Sequence, residues 1–115
     1  MNKRQLGLKG ETQGTKFLKK QGYRIIERNF RTRSGEIDII AREGREIVFI
    51  EVKTRSSLDF GYPEESVTRR KMAHLLKASQ YYMLKSKIEM PYRFEVLSVI
   101  ADKEKGYRFE IIPIE

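Results

Sequence analysis

The chain has no cysteine and no tryptophan, and only one histidine and three prolines in 115 residues. Without thiols, disulfide bridges, thiolate zinc sites and a cysteine nucleophile are excluded. Acidic side chains are in deficit: 24 Lys and Arg face 16 Asp and Glu, a net charge of +8 at pH 7. Long apolar runs are lacking too. Charge-free segments such as residues 96–101 fall far short of the ~20 residues that a membrane span needs. The N-terminus is basic, but Lys9 interrupts any apolar run behind it, so no signal peptide is read there. The expectation is a cytoplasmic protein with no membrane partner. What is present suffices for a core: 39% of residues are hydrophobic and 10% aromatic. The length suits one domain, residues 1–115, burying roughly two-thirds of the surface of its unfolded chain.

The positive charge is concentrated. Residues 1–33 carry ten basic side chains against Glu11 and Glu27, so the whole +8 excess lies there and the rest of the chain is neutral. A field confined to one region favours a polyanion, because neutralising phosphates releases condensed counterions. The bland alternative is a solvated helix face and loop kept charged for solubility. Nucleic acid is the favoured partner, by the footprint of clustered Lys and Arg.

No repeat, low-complexity tract or linker divides the chain. Apolar spacing predicts a helix over residues 7–21, with Leu8, Phe17 and Leu18 on its buried side and Gly22 as its left-handed stop. Strands are expected at 23–30, 36–41 and 47–54, the last buried on both faces, then a loop at 56–63. A second helix follows from Ser66 or Thr68 to residue 85, with Val67, Met72, Leu75, Leu76, Tyr82 and Met83 on its buried side. Strands at 93–101 and 107–114 complete the order α-β-β-β-α-β-β, an α/β fold with helices packed on a mixed sheet.

Two of these strands carry charge where the pattern calls for hydrocarbon. Glu51 interrupts Ile47-Val48-Phe49-Ile50-Glu51-Val52-Lys53, and strand alternation puts Phe49, Glu51 and Lys53 on one face. Asp38 lies between Ile37 and Ile39, sharing a face with Glu36 and Ile40. Unpaired buried carboxylates are costly, so these acids need a cation, a hydrogen-bond network or water. Phosphodiester hydrolysis asks for such a set. Mg²⁺ or Mn²⁺ is typically held by one or two carboxylates with water and phosphate. Asp38 and Glu51 supply the carboxylates, and the Val52 carbonyl is a candidate third ligand. Lys53 either orients the attacking water and neutralises developing charge, or forms an ion pair that keeps the site neutral; the spacing suits both.

With these residues in place, the chain resembles a known group. Gly35-Glu36-Ile37-Asp38-Ile39-Ile40 together with Phe49-Ile50-Glu51-Val52-Lys53-Thr54-Arg55 is similar to the PD-(D/E)XK signature of the restriction-endonuclease-like superfamily. More closely, the chain resembles the bacterial YraN-type family, itself similar to archaeal Holliday-junction resolvases. The likeness runs over residues 7–100 and includes Gly10-Glu11, Gly22-Tyr23, Asn29-Phe30-Arg31 and Val67-Thr68 with Lys71. It implies a restriction-endonuclease-like mixed sheet flanked by helices, with Asp38, Glu51 and Lys53 as the catalytic trio and Glu11 near the metal. Glu11 is independently unusual as one of two acids in a basic segment. Ile37 stands where the signature has proline, Gly14 where alanine is expected, and Glu95 where relatives generally have Asp.

Other residues complete the candidate surface. Arg31 and Arg33, before the Asp38 strand, and Arg55, after the Glu51 strand, are candidate phosphate contacts, as is Lys71 early on the second helix. Each has an ordinary alternative, Lys71 as a partner of Glu64 or Glu65. Gly7, Gly10 and Gly14 form a smooth stripe suited to close helix–sheet packing. His74, with no partner histidine, reads as a helix-surface residue, and residues 81–84 as core with a dimer surface as the second reading. The expectation is a metal-dependent nuclease acting on DNA, including branched forms, for which a two-fold junction would suit a homodimer. Its rivals are a non-catalytic nucleic-acid-binding module and a protein-interaction factor that binds an acidic partner.

Overall fold

The computed structural model describes residues 2–56 and 67–114. The first helix, α1 (Lys3–Lys20), starts four residues before the expected position, because Asn2 and Gln5 form a capping box. The Asn2 side chain accepts from the Gln5 N–H at 2.8 Å, and the Asn2 N–H donates to the Gln5 side chain at 3.1 Å. Its other end stops as expected, with Gln21 as C-cap and Gly22 at φ +98°, a conformation that side chains resist.

Three strands follow: β1 (Arg24–Thr32), β2 (Gly35–Glu43) and β3 (Glu46–Ser56). Then come α2 (Arg69–Ser86), β4 (Tyr92–Asp102) and β5 (Gly106–Ile114). This is the expected order, with every strand one to several residues longer than its hydrophobic pattern suggested. Thr68, one of the two candidate caps, accepts from the Lys71 N–H at 3.1 Å. Ser66 and most of the expected 56–63 loop lie outside the described residues.

The sheet runs β1-β2-β3-β4-β5, antiparallel except for the parallel β3–β4 pair that α2 connects. Neighbouring residues of β3 alternate between two cores. Val48 and Ile50 join Leu18 of α1, Ile39, Ala41, Leu97 and Val99. Ile47 and Phe49 join Leu75, Ala78 and Tyr82 of α2, with Ile37 and Ile40. The helices therefore cover opposite faces, and β3 is buried on both, as its apolar run predicted.

Several apolar expectations fail. Leu8 is 56% exposed and Leu76 39% exposed. Of residues 81–84, read first as core, Tyr81 and Leu84 are exposed while Tyr82 is buried, because they lie on opposite sides of α2. On α1 the buried stripe is Gly10, Glu11, Gly14, Thr15 and Leu18 instead. The helix lies so close to β3 and β4 that a Cβ on Gly10 would fall 2.0 Å from the Thr54 hydroxyl, and one on Gly14 2.7 Å from a Leu97 methyl. That approach is the reason for glycine, and for Gly14 in the place where alanine was expected. No large apolar side chain fits at positions 10 and 14; Leu18, a turn further on, enters the core.

Glu95, without a role in sequence, proves structural. It is 5% exposed, accepts from the Tyr23 hydroxyl at 2.8 Å and pairs with Arg93 at 3.2 Å. Arg93 also pairs with Glu43 and Glu46 at the β2–β3 turn. Burial and the Glu95 hydrogen bond push Tyr23 up to about 12. For Arg93, the hydrogen bonds to these acids and Tyr23 outweigh burial and raise its pKa. The network binds the β2–β3 turn to β4, closing one end of the sheet.

Candidate functional site

At the other end, the sheet opens. The β2–β3 ladder runs from Glu43↔Glu46 to Ile39↔Ile50 and stops, although both strands continue. The next residues on either side are Asp38 and Glu51. In place of a main-chain partner, the Val52 N–H donates to the Asp38 carboxylate at 2.8 Å. The side chain thus replaces a ladder bond and holds the parting strands at a fixed distance.

Strict alternation breaks here as well. Ile37 and Ile40 belong to the α2 core and Ile39 and Ala41 to the α1 core, so the expected sharing of a face by Glu36, Asp38 and Ile40 does not carry through. The β1–β2 register puts Asn29 opposite Asp38, and Asn29 is left-handed with φ +54°. Asparagine is among the few side chains that tolerate that region.

The opening faces α2. A cleft of about 290 Å³ is lined by Gly35, Glu36, Asp38, Glu51, Lys71, His74 and Leu75. Glu51, 8% exposed, accepts an ion pair from the Lys71 ammonium at 2.8 Å, with Lys53 at 4.0 Å. Lys53 and Glu51 share the expected face. Burial and the negative charge of Glu51 push Asp38 up to about 7, with smaller contributions from Glu11 and Glu36, against the lowering effect of the Val52 N–H. Lys53 is lowered by burial and by the neighbouring Lys71 ammonium. Lys71 is raised: burial opposes its charge, and the hydrogen bond to Glu51 outweighs that.

Glu11 reaches the same neighbourhood from α1. It is 9% exposed and pairs with Arg28 of β1 at 3.3 Å. The structure therefore brings together Asp38, Glu51, Lys53 and Lys71, with Glu11 close enough for its charge to act on Asp38. Val52 is engaged through its N–H. Arg31 is 80% exposed with Glu36 at 3.6 Å, and Arg33 is exposed in the β1–β2 turn, so both are accessible from solvent. Arg55, half-buried near the end of β3, has an interaction partner and sits two residues beyond Lys53. His74 is exposed, as expected, at the cleft rim beside Gly35. Lys71 has Glu51 as its partner; Glu64 and Glu65 lie outside the described residues.

Sequence reasoning passed over Arg28 and Glu36. Arg28 carried a signal, as an arginine in the segment that also holds the buried Glu11. Glu36, two residues before Asp38, adds to the negative charge that raises its pKa.

Fold and site together define a class: an α/β protein whose mixed sheet parts between two carboxylate-bearing strands, with lysines from the sheet and from a crossing helix beside them. The family described as Uncharacterised protein family UPF0102 matches residues 10–99. A UPF0102 protein of Caldicellulosiruptor saccharolyticus is 53% identical over 100 residues, covering 86% of this chain and 85% of that one. Those of Persephonella marina and Acetivibrio thermocellus are 44% and 46% identical, covering 82% and 96% of this chain and 82% and 85% of theirs. The chain belongs to the UPF0102 family, in agreement with its YraN-type resemblance. Among the described residues no helix is long and apolar enough to cross a membrane.

Proposed function

We propose that this protein is a metal-dependent nuclease of the PD-(D/E)XK kind, hydrolysing DNA phosphodiester bonds, with branched DNA as the substrate form to test first. The observation that carries the reading is the parting of β2 from β3 at Asp38 and Glu51, which brings two carboxylates to one cleft, with the Lys53 ammonium 4.0 Å from Glu51. Among the described residues no three His, Asp or Glu side chains group tightly enough to hold a metal by themselves. Mg²⁺ does not require that, being usually bound by one or two carboxylates plus water and phosphate. The charge pattern fits: burial, and then the neighbouring Glu51, push Asp38 up to about 7, a cost that a hard cation relieves.

Asp38 and Glu51 would hold Mg²⁺ or Mn²⁺, with the Val52 carbonyl as a third oxygen and Glu11 assisting. Such an ion polarises the phosphoryl oxygen and supplies an acidified water. Asp38 is itself oriented by the Val52 N–H, so its carboxylate enters the cleft in a fixed pose. Lys53, with its pKa lowered by burial and Lys71, is suited to orient the attacking water and to share the transition-state charge. Arg31, Arg33 and Arg55 would engage backbone phosphates around the cleft.

A panel of duplex, single-strand, flap and junction DNA with Mn²⁺ tests the reading. Wild type cuts at least one form, while Asp38→Ala and Lys53→Ala do not. Metal-independent cutting, or cutting that survives both substitutions, removes the mechanism. One observation favours a second reading, a non-catalytic nucleic-acid-binding protein: Lys71 already neutralises Glu51 at 2.8 Å. That protein would bind DNA in a salt-sensitive way and cut no member of the panel.

A further inference from the structure

Lys71 stands out for where its charge is placed. It is in the first turn of α2, beside Arg69 and Arg70, and no acidic residue balances them there. A helix N-terminus carries partial positive charge, so three consecutive cations in the first turn are unfavourable for the helix itself. Arg69 and Arg70 are exposed, whereas Lys71 turns inward to Glu51. The inward ammonium occupies one oxygen of the carboxylate that, on the proposed reading, holds the metal. Lys53 lies farther from that oxygen, at 4.0 Å, and is tied to the sheet rather than to the helix.

We propose that Lys71 is an exchangeable internal cation: a divalent ion displaces it from Glu51, and the freed ammonium then binds a phosphate of the nucleic acid at the start of α2. The inference rests on the metal-site reading above and adds a coupling to it. Before metal binds, Glu51 is neutralised by the protein's own lysine. After it binds, the first turn of α2 presents the Arg69, Arg70 and Lys71 side chains together, an arrangement matched to a phosphate anion, while the Lys71 N–H stays with the Thr68 hydroxyl. Metal and DNA then strengthen each other's binding, and the linkage is reciprocal.

The signature is a pair of effects with opposite sign, both measured without cleavage. Mn²⁺ affinity is followed by calorimetry without DNA. DNA affinity is followed by fluorescence anisotropy with uncut junction DNA at constant ionic strength, in EDTA and in Ca²⁺. Lys71→Met, which keeps the stem and removes the charge, should bind Mn²⁺ at least fivefold tighter than wild type, because the nearer of the two ammonium groups competing for Glu51 is gone. The same variant should lose most of the Ca²⁺-dependent gain in DNA affinity. Lys71→Arg should behave like wild type in both, separating charge from packing, with circular dichroism confirming that each variant is folded. Unchanged Mn²⁺ affinity in Lys71→Met, with binding still abolished by Asp38→Ala, overturns the exchange while leaving the metal site intact. Absence of Mn²⁺ binding at millimolar concentration in both wild type and Lys71→Met removes the site, and the exchange with it. A Ca²⁺ gain undiminished in Lys71→Met refutes the phosphate role.

Discussion

Replacing Asp38 with asparagine should stabilise the metal-free protein, and more so as pH rises. The Asp38 carboxyl is held at about 7 against an ordinary 3.8, because burial and Glu51 disfavour its charge. Its folded-state pKa is raised, so the folded protein holds this proton more tightly than the unfolded chain. No penalty exists below about pH 4; it grows as pH climbs through the interval to about 7, and is complete above that. A shift of about three units corresponds to about 4 kcal/mol at most, and partial exposure to the cleft reduces this to about 2–3 kcal/mol. Asparagine removes the charge and keeps an oxygen for the Val52 N–H, so the bond that sets the strand separation survives. Urea unfolding in EDTA at pH 5 and pH 8 measures the effect. The stability gain of Asp38→Asn over wild type should be larger at pH 8 by about 2 kcal/mol, a midpoint difference of about 1 M or more. A gain that is the same at both pH values, or a loss that does not change with pH, would refute the idea that this carboxyl is crowded and desolvated.

Two further substitutions probe the frame around the cleft. Gly10→Ala drives a methyl into Thr54 and should cost about 1–3 kcal/mol in chemical denaturation; Thr54→Ala removes the hydroxyl and methyl it meets and should recover part of that loss, the residue-54 Cβ staying 2.7 Å from the new methyl. Additive losses in the double variant would show that the close approach is not the cause. Arg93→Ala leaves Glu95 buried without its cation and frees the β2–β3 turn. Because Arg93 keeps 30% exposure, the cost should be about 2 kcal/mol, at the low end for a broken buried pair. A thermal midpoint within about 1 °C of wild type would contradict the clamp, since that cost corresponds to a shift of roughly 5 °C or more in a domain of this size.

Stability is spent differently at the two ends of the sheet. Where β2 turns into β3, acids are matched by Arg93 and the ladder is intact. Five residues along β3, about 16 Å away, the ladder has stopped and acids crowd one another beside two lysines. Binding sites commonly carry such unrelieved charge, and structural ends do not.

The element order was legible in sequence because it rests on local signals: the continuous apolar run 47–50, the β-branched residues around Asp38, and Gly22 after the first helix. The early start of α1 is a miss, although Asn2 and Gln5 carry a local signal for it. The apolar failures share a cause. Leu8 and Leu76 are apolar residues at helical spacing, yet exposed, because the depth of each helix on the sheet is set by partners distant in sequence. Glycines at positions 10 and 14 hinted at that depth without fixing it.

By itself, the sequence determined that Asp38, Glu51 and Lys53 are chemically out of place in their strands, because period-two alternation and the cost of buried charge are properties of any strand. It also determined the +8 charge and its confinement to residues 1–33. The tertiary structure alone decided that β2 and β3 part at those two acids, that Glu11 comes in beneath Arg28, and that Lys71 crosses from α2 to Glu51. Such contacts link residues 14 to 20 positions apart through packed helices and a sheet register. No local propensity encodes them, since they form only when both cores close around β3.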